Sequence, residues 1–206
     1  RTQIMALGQT IQSTGSTLSG GTPVTATKPA GASASSILHC RLAISAGAAV
    51  VWPAGFQTFG TMLTSAGGVW NIYHAWALGD VASTAFSTTS SSNEEFEITL
   101  TNCTGISLTS PIRDHAWVAG GDGASGSANA LPAPSVTAQA GDDILAEFDN
   151  QQNAYAVTAA PAGFTVEQIF GNANAFVAKM NDAVAGATGA ITPVVAAGNG
   201  QYEYRT

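Results

Sequence analysis

The tetrapeptide Pro-Ala-Gly-Phe occurs twice in this chain of 206 residues, at Pro53–Phe56 and, 108 positions later, at Pro161–Phe164. Apolar, strand-like segments surround both copies in the same order and at nearly the same spacing. A chance match in an Ala- and Gly-rich chain would not hold that register over such a length. The sequence therefore predicts one structural unit built twice, with pseudo-repeats at about 28–90 and 134–192.

Apolar and polar residues alternate with period two in several segments, which is the pattern of β-strands. The clearest examples are 35–45, 69–78 and 93–102. In the first segment, one face carries Leu38, Cys40, Leu42 and Ile44, and the other carries His39, Arg41 and Ala43. We predict a half-buried strand at 35–45, a central strand at 69–78, and at 93–102 a strand with Phe96, Ile98 and Leu100 inward.

Short strands, Gly/Pro-rich turns and little helical periodicity predict an all-β fold: a β-sandwich with a jelly-roll-like strand arrangement and internal pseudo-duplication. Segment 175–181 has a helix-favouring composition, but its counterpart in the first repeat alternates with period two, so we predict a strand. We expect an extended N-terminal arm at 1–27, a single sandwich domain at 28–200, and a tail strand at 201–206 that pairs with something, such as a neighbouring subunit.

Charged residues make up only 9% of the chain, and the formal net charge is −7 with 6 Lys+Arg against 13 Asp+Glu. So few basic residues cannot form a phosphate-binding surface, which argues against nucleic-acid partners and against binding to anionic lipid. No apolar run is long enough to span a membrane. The surface is instead rich in short side chains such as Ser, Thr, Ala and Gly, which lose little rotamer entropy when a neighbouring subunit packs on them.

The residues that most often carry catalysis are scattered. His39, His74 and His115 fall in three different strands without a metal-binding spacing. Asp114 and His115 are adjacent, so on a strand they point to opposite faces and cannot form the orienting pair of a catalytic triad without a bulge. We predict that the protein is not an enzyme, with no catalytic, cofactor-binding or metal-binding residue and no cofactor.

Other residue types leave alternatives open. Glu95 and Glu97 share a strand face that suits a carboxylate pair for glycoside hydrolysis, but their setting is typical of a solvated strand start. The Asp-containing turns at 120–129 and 141–143 lack the regular spacing of a calcium loop. Cys40 and Cys103 allow one disulfide, although two buried free thiols are the favoured interpretation.

Two further features concern glycans. Asn102 begins an Asn-Cys-Thr sequon, which matters only in a eukaryotic secretory source. The tryptophans could stack on sugars, but burial in strands is their default; they are Trp52, Trp70, Trp76 and Trp117.

The segments VTATKPAGASASSILHC, VVWPAGF and SVTAQAGDDILAEF resemble a loose family of jelly-roll-like β-sandwich domains. Its members occur in virion proteins of tailed phages, among them head decoration, head fibre and minor tail components, and in some bacterial surface proteins. The likeness covers roughly 22–195 and consists of turn and core positions. The first copy has Ala-Ser-Ser where the second keeps Gly-Asp-Asp. The resemblance implies a non-enzymatic virion or surface component.

From these features we expect a structural virion protein, most of all a capsid decoration or cement protein. Its partners would be copies of itself, with a trimer as one arrangement, and the major capsid protein or another virion protein. Residues 1–27 and the C-terminal strand would reach onto neighbours. The alternative is a glycan- or receptor-binding domain of a tail fibre or of a secreted surface protein.

Overall fold

The computed structural model describes residues 6–20, 22–45, 47–60, 62–64, 70–122, 133–150, 157–170, 175–180, 183–191, 194–195 and 201–205. Within these residues all regular structure is antiparallel β-strand, which confirms the predicted all-β class. In the part of the chain so described, no helix is long and apolar enough to cross a membrane.

The chain divides into two compact units. The N-terminal unit consists of Met5–Thr64 and Gly68–Pro111, and the C-terminal unit consists mainly of Ile112–Thr206. The sequence predicted one sandwich domain at 28–200. Each of the two units has a main sheet of its own, and the single domain stays a prediction.

Two antiparallel sheets form the N-terminal unit. Its strands are β1 (Ala6–Leu18), β2 (Val24–Thr25), β3 (Ser36–Ser45), β4 (Val50–Val51), β5 (Gln57–Thr58), β6 (Leu63–Thr64), β7 (Trp70–Leu78), β8 (Ala85–Thr88) and β9 (Glu94–Thr104). The main sheet has the order β1-β9-β3-β7-β5, and β6 also pairs with β7. The second sheet has the order β2-β8-β4.

The hydrophobic core of this unit lies on one face of the main sheet. Leu38 and Leu42 of β3 are fully buried there in one cluster with Phe86 of β8, which belongs to the second sheet. Alternate residues of a strand share a face, so the period-two pattern of the sequence produces this core. The inward positions predicted on β9 are confirmed, since the same cluster contains Phe96, Ile98 and Leu100.

The opposite face of β3 is buried as well, so the prediction of a half-buried strand was wrong. His39 and Arg41 are each only 7% exposed. The reason is position: β3 lies between β9 and β7, and polar side chains from both neighbours lie beside its own. The prediction of a central strand at 69–78 is confirmed, because β7 pairs with β3 on one side and with β5 and β6 on the other.

The C-terminal unit repeats this architecture. Its strands are β10 (Trp117–Asp122), β11 (Thr137–Ala138), β12 (Ile144–Asn150), β13 (Val157–Ala159), β14 (Thr165–Phe170), β15 (Ala175–Met180), β16 (Gly186–Ala187), β17 (Val194–Val195) and β18 (Gln201–Arg205). The main sheet has the order β10-β18-β12-β15-β14. The strand predicted at 175–181 is confirmed as β15, where pairing with β12 and β14 prevails over the helix propensity of alanine.

The strand orders of the two units correspond element by element. In the N-terminal main sheet, β9 lies between β1 and β3. In the C-terminal main sheet, β18 lies in the same way between β10 and β12. In the smaller sheet of the N-terminal unit, β2 and β4 both pair with β8. In the C-terminal unit, β11 pairs with β16 and β13 pairs with β17, so two short strands correspond to β8. The predicted pseudo-duplication is therefore a duplication of topology.

The repeated tetrapeptide forms the same turn in both units. The backbone N–H of Phe56 donates to the carbonyl oxygen of Pro53 (3.2 Å), and that of Phe164 donates to Pro161 (2.9 Å). The third residue has a positive φ in each turn, 97° at Gly55 and 81° at Gly163, which is the conformation that glycine adopts without strain. The turn then leads into a strand of the main sheet, β5 or β14.

Segments near both ends of the described chain, β1 and β18, form strands of its own sheets. In the predicted arm at 1–27, β1 pairs with β9, and Leu18 at its end is fully buried in the core. The predicted tail strand is β18, which lies between β10 and β12 in the middle of the C-terminal sheet. The pairing that we expected with a neighbour is thus made, for β18, within the same chain.

Candidate functional site

Four polar side chains meet on the face of the N-terminal main sheet that lies opposite the core. His39 and Arg41 belong to β3, His74 to β7 and Glu97 to β9. The strand register brings them together, since Arg41 is directly opposite His74 on one side and Ala43 is opposite Glu97 on the other. We call these four residues the internal polar cluster.

The two imidazoles of this cluster are in direct contact. Nε2 of His39 lies 3.0 Å from Nδ1 of His74, so one of these nitrogens donates a hydrogen bond and the other accepts it. The rings stack with centroids 5.1 Å apart, and Phe59 packs edge-on against His74 at 5.7 Å. Both histidines are buried.

Arg41 is the buried cation of the cluster, and Glu97 neutralises it. Nη1 of Arg41 donates to Oε1 of Glu97 at 2.7 Å, a charge-assisted hydrogen bond between β3 and β9. The side chain of Arg41 is 8% exposed and that of Glu97 is 28% exposed. Glu97 is therefore an ion-pair partner of Arg41, whereas Glu95, the residue that shares its strand face, is exposed.

This arrangement joins three neighbouring strands through side chains in addition to the backbone ladder. The sequence assigned His39 and Arg41 to one face, but it did not show that β7 and β9 flank that face. The expectation of no metal site stays a prediction, because a separation of 3.0 Å between two imidazole nitrogens also suits two ligands of one metal ion.

A second group of polar residues lies at the surface of the C-terminal unit. Nε of Arg113 lies 2.9 and 3.1 Å from the two carboxylate oxygens of Asp142, and the rings of His115 and Trp117 lie 4.8 Å apart. His115 is exposed and Trp117 is half-buried. We call Arg113, Asp114, His115, Trp117 and Asp142 the surface cluster.

Asp114 binds backbone rather than an imidazole. Its carboxylate accepts hydrogen bonds from the backbone N–H groups of Thr137 (2.7 Å) and His115 (2.9 Å). These two bonds, that of Thr137 first, hold the pKa of Asp114 below its ordinary value. The next strand of the unit, β10, begins at Trp117.

The remaining candidates have structural roles or lie outside the described residues. Cys40 and Cys103 are buried and do not form a disulfide, as favoured from the sequence. Asn102 is 3% exposed and its Nδ2 donates to the carbonyl of Ala30, so the folded chain does not present this sequon. Most of the turn at 120–129 lies outside the described residues. Trp52 and Trp76 are half-buried.

Comparisons of this chain with family models, with curated proteins and with solved structures found no match.

Proposed function

We propose that this protein is a structural component of a virion, most of all a capsid decoration or cement protein that packs on the capsid and on neighbouring copies. The observation that carries the proposal is β1, which lies at the edge of its sheet among the described strands and has no charged residue in its 13 positions. Such an edge favours pairing with a further strand over staying in water.

The composition of the surface supports the same role. With 9% charged residues, the exposed positions are mainly Ser, Thr, Ala and Gly. Ordering such side chains at an interface loses little entropy, and little charge has to be desolvated. A protein that must stay apart from its neighbours usually has many more charges on its surface.

The internal polar cluster supports a non-enzymatic function. His39, Arg41 and His74 are each 7% exposed or less, and the hydrogen bonds described above join them within the sheet. Groups held in this way stabilise strand pairing and are poorly placed to reach a substrate.

We also propose a jelly-roll-like strand arrangement in each unit, and the strand order supports it. In each main sheet the last strand of the unit lies between the first strand and the third strand. Two units of this kind in one chain present several sheet edges and loop ends, which suits a building block that contacts more than one neighbour.

Fractionation of intact particles tests the proposal. Virus particles from the source would be purified on a density gradient, and the chain quantified by mass spectrometry relative to the main coat protein. We expect a constant ratio across the particle peak. If the chain stays in the soluble fraction, with none in the particle peak, the virion assignment is wrong.

A glycan-binding role is the second candidate, and the surface cluster is the observation that favours it. The exposed ring of His115 beside Trp117, flanked by the ionic pair of Arg113 and Asp142, combines an aromatic surface with polar groups. A glycan array with the full chain, compared with a Trp117→Ala variant, tests this candidate. Binding that depends on Trp117 would support it.

A further inference from the structure

The hydrogen bond between the two buried imidazoles of the internal polar cluster depends on their protonation. Nε2 of His39 and Nδ1 of His74 lie 3.0 Å apart. A neutral imidazole has one nitrogen that donates and one that accepts, whereas both nitrogens of an imidazolium donate. The bond therefore persists when one ring takes up a proton. It is lost when both rings are protonated, because neither of the two facing nitrogens can then accept.

Burial makes the loss of this bond costly. His39 is 7% exposed and His74 is 5% exposed, so water has little access to either ring. Phe59 packs against both rings, with centroids 6.0 Å from that of His39 and 5.7 Å from that of His74. Two adjacent imidazolium rings in this position would repel each other and would both pay the cost of removing a charge from water.

The other titratable groups on this face of the N-terminal main sheet come from β3 and β9. Arg41 of β3 is directly opposite His74 and is already a cation, and Glu97 of β9 neutralises it. Glu95 and Cys103 share the strand face of Glu97; Glu95 is exposed and Cys103 is buried. The sequences of β1, β5 and β6 contain no titratable residue. Protonating both imidazoles thus adds two positive charges beside an existing cation.

The unfolded chain takes up two protons at these histidines more readily than the folded chain does. A histidine in water has a pKa of about 6.5, so both rings are protonated below that pH in the unfolded state. The folded unit accepts one proton before the bond between the rings breaks. Because the unfolded state binds more protons, the stability is fully present above about pH 6.5 and is lost as the pH falls, by about tenfold in the unfolding equilibrium for each pH unit.

The C-terminal unit differs in this respect. The chain has three histidines, and the third, His115, is exposed, with its ring 4.8 Å from that of Trp117. An exposed imidazole takes up a proton without bringing a charge out of water. Acid should therefore act on the two units unequally.

We propose that the imidazole pair of His39 and His74 is an acid-sensitive switch, which joins β3 and β7 at neutral pH and loosens the N-terminal main sheet below about pH 6 while the C-terminal unit stays folded. The switch goes beyond the proposed function, because protonation alone operates it and no virion partner is needed. A failure of either proposal leaves the other in place.

Hydrogen–deuterium exchange of the full chain at about pH 7.5 and about pH 5 tests the switch. Protection factors correct for the intrinsic effect of pH on exchange. For peptides from β3 and β7 they should fall about 30-fold, which is about tenfold per pH unit over the interval below about pH 6.5. For peptides from β12 and β15 they should stay within about threefold of their value at neutral pH.

His39→Gln and His74→Gln each replace one ring by an amide that forms hydrogen bonds but does not titrate, so each should remove most of the fall in protection. His115→Gln is the matched control and should keep the response of the wild type. If a glutamine variant does not fold, the comparison of the two units in the wild type decides. Equal changes in both units, or folded variants of His39 and His74 that respond like the wild type, would overturn the inference.

Discussion

At the scale of single residues, polar side chains on the strands have partners that the register places opposite or next to them. Glu97 lies beside Arg41 because β9 and β3 pair in a register that puts Glu97 opposite Ala43, the next residue on the same face. A buried cation without its carboxylate would keep its desolvation penalty without the attraction that offsets it.

We therefore expect Glu97→Gln to lower the free energy of unfolding by about 2 kcal/mol, somewhat less than for a fully buried pair, since Glu97 keeps contact with water. Urea denaturation measures this. Glu95→Gln, on the same strand but exposed, is the control and should change stability by less than about 0.5 kcal/mol. If the two substitutions lower the free energy of unfolding equally, the ion pair of Arg41 with Glu97 does not contribute to stability.

Asp114 gives a prediction about pH. Its pKa in the folded protein lies below the ordinary value of 3.8. The ionised carboxylate therefore stabilises the fold at pH values above 3.8. This contribution disappears as the pH falls through the pKa of the folded state. Asp114→Ala should lower the melting temperature modestly at neutral pH, because the carboxylate is exposed to solvent.

The difference from the wild type should vanish in strong acid, which thermal unfolding across a pH series measures. Asp80→Ala, another exposed carboxylate, is the control. A difference that persists below the folded pKa would mean that Asp114 acts through something other than its charge.

At the scale of elements, β1 is part of the sheet and not a free arm. Leu18 is fully buried in the core cluster with residues of β3 and β8. Deletion of residues 1–20 would therefore remove a strand and a core residue together.

Leu18→Ala should lower the free energy of unfolding by about 2–5 kcal/mol, the range for deleting a buried leucine side chain. Leu108→Ala is the matched control, because Leu108 is 37% exposed and should cost far less. Chemical denaturation followed by tryptophan fluorescence gives both values. If the two substitutions have the same effect, the N-terminal segment is not packed in the core.

The repeated turns allow a paired test of one glycine in two settings. A Cβ at Gly55 would lie 2.8 Å from Cγ2 of Val81, and one at Gly163 would lie 2.8 Å from Cε of Met180. Both alanine variants should destabilise by about 1 kcal/mol or more, because φ is positive. Gly55→Ala should cost more, since the branched Val81 is stiff whereas the end of Met180 can rotate away.

Unfolding measurements on both variants, with Ala54→Gly and Ala162→Gly as controls, test this order. A larger effect at Gly163 would contradict the argument from side-chain stiffness.

At the scale of the whole molecule, the chain contains one strand topology twice and has a net charge of −7. Two copies that meet along an uncharged edge still repel each other through the rest of their charge. Salt reduces that repulsion, because the screening length falls to about 10 Å at 0.1 M.

We therefore expect moderate sodium chloride to tighten self-association, the opposite of its effect on an interface held by ion pairs. Sedimentation velocity at low and moderate salt measures the shift. Weaker association in salt would indicate that ion pairs hold the copies together.

The sequence alone determined the local features of this protein. Alternation at period two predicted which residues of β3 and β9 share a face, and the repeated tetrapeptide predicted two equal turns and the duplication. Strand faces and turns depend on neighbours within a few residues, so the sequence alone is enough to predict them. The same pattern even placed β15 correctly against the helix propensity of alanine.

Only the tertiary structure decided which strands meet. His39 contacts His74 from 35 residues away, Arg41 contacts Glu97 from 56 residues away, and β18 lies inside its own sheet. Strand pairing over such distances is selected by the free energy of the complete sheet and its core, which no local period contains. For that reason the buried polar face of β3, and the open edge of β1, became visible only in the folded chain.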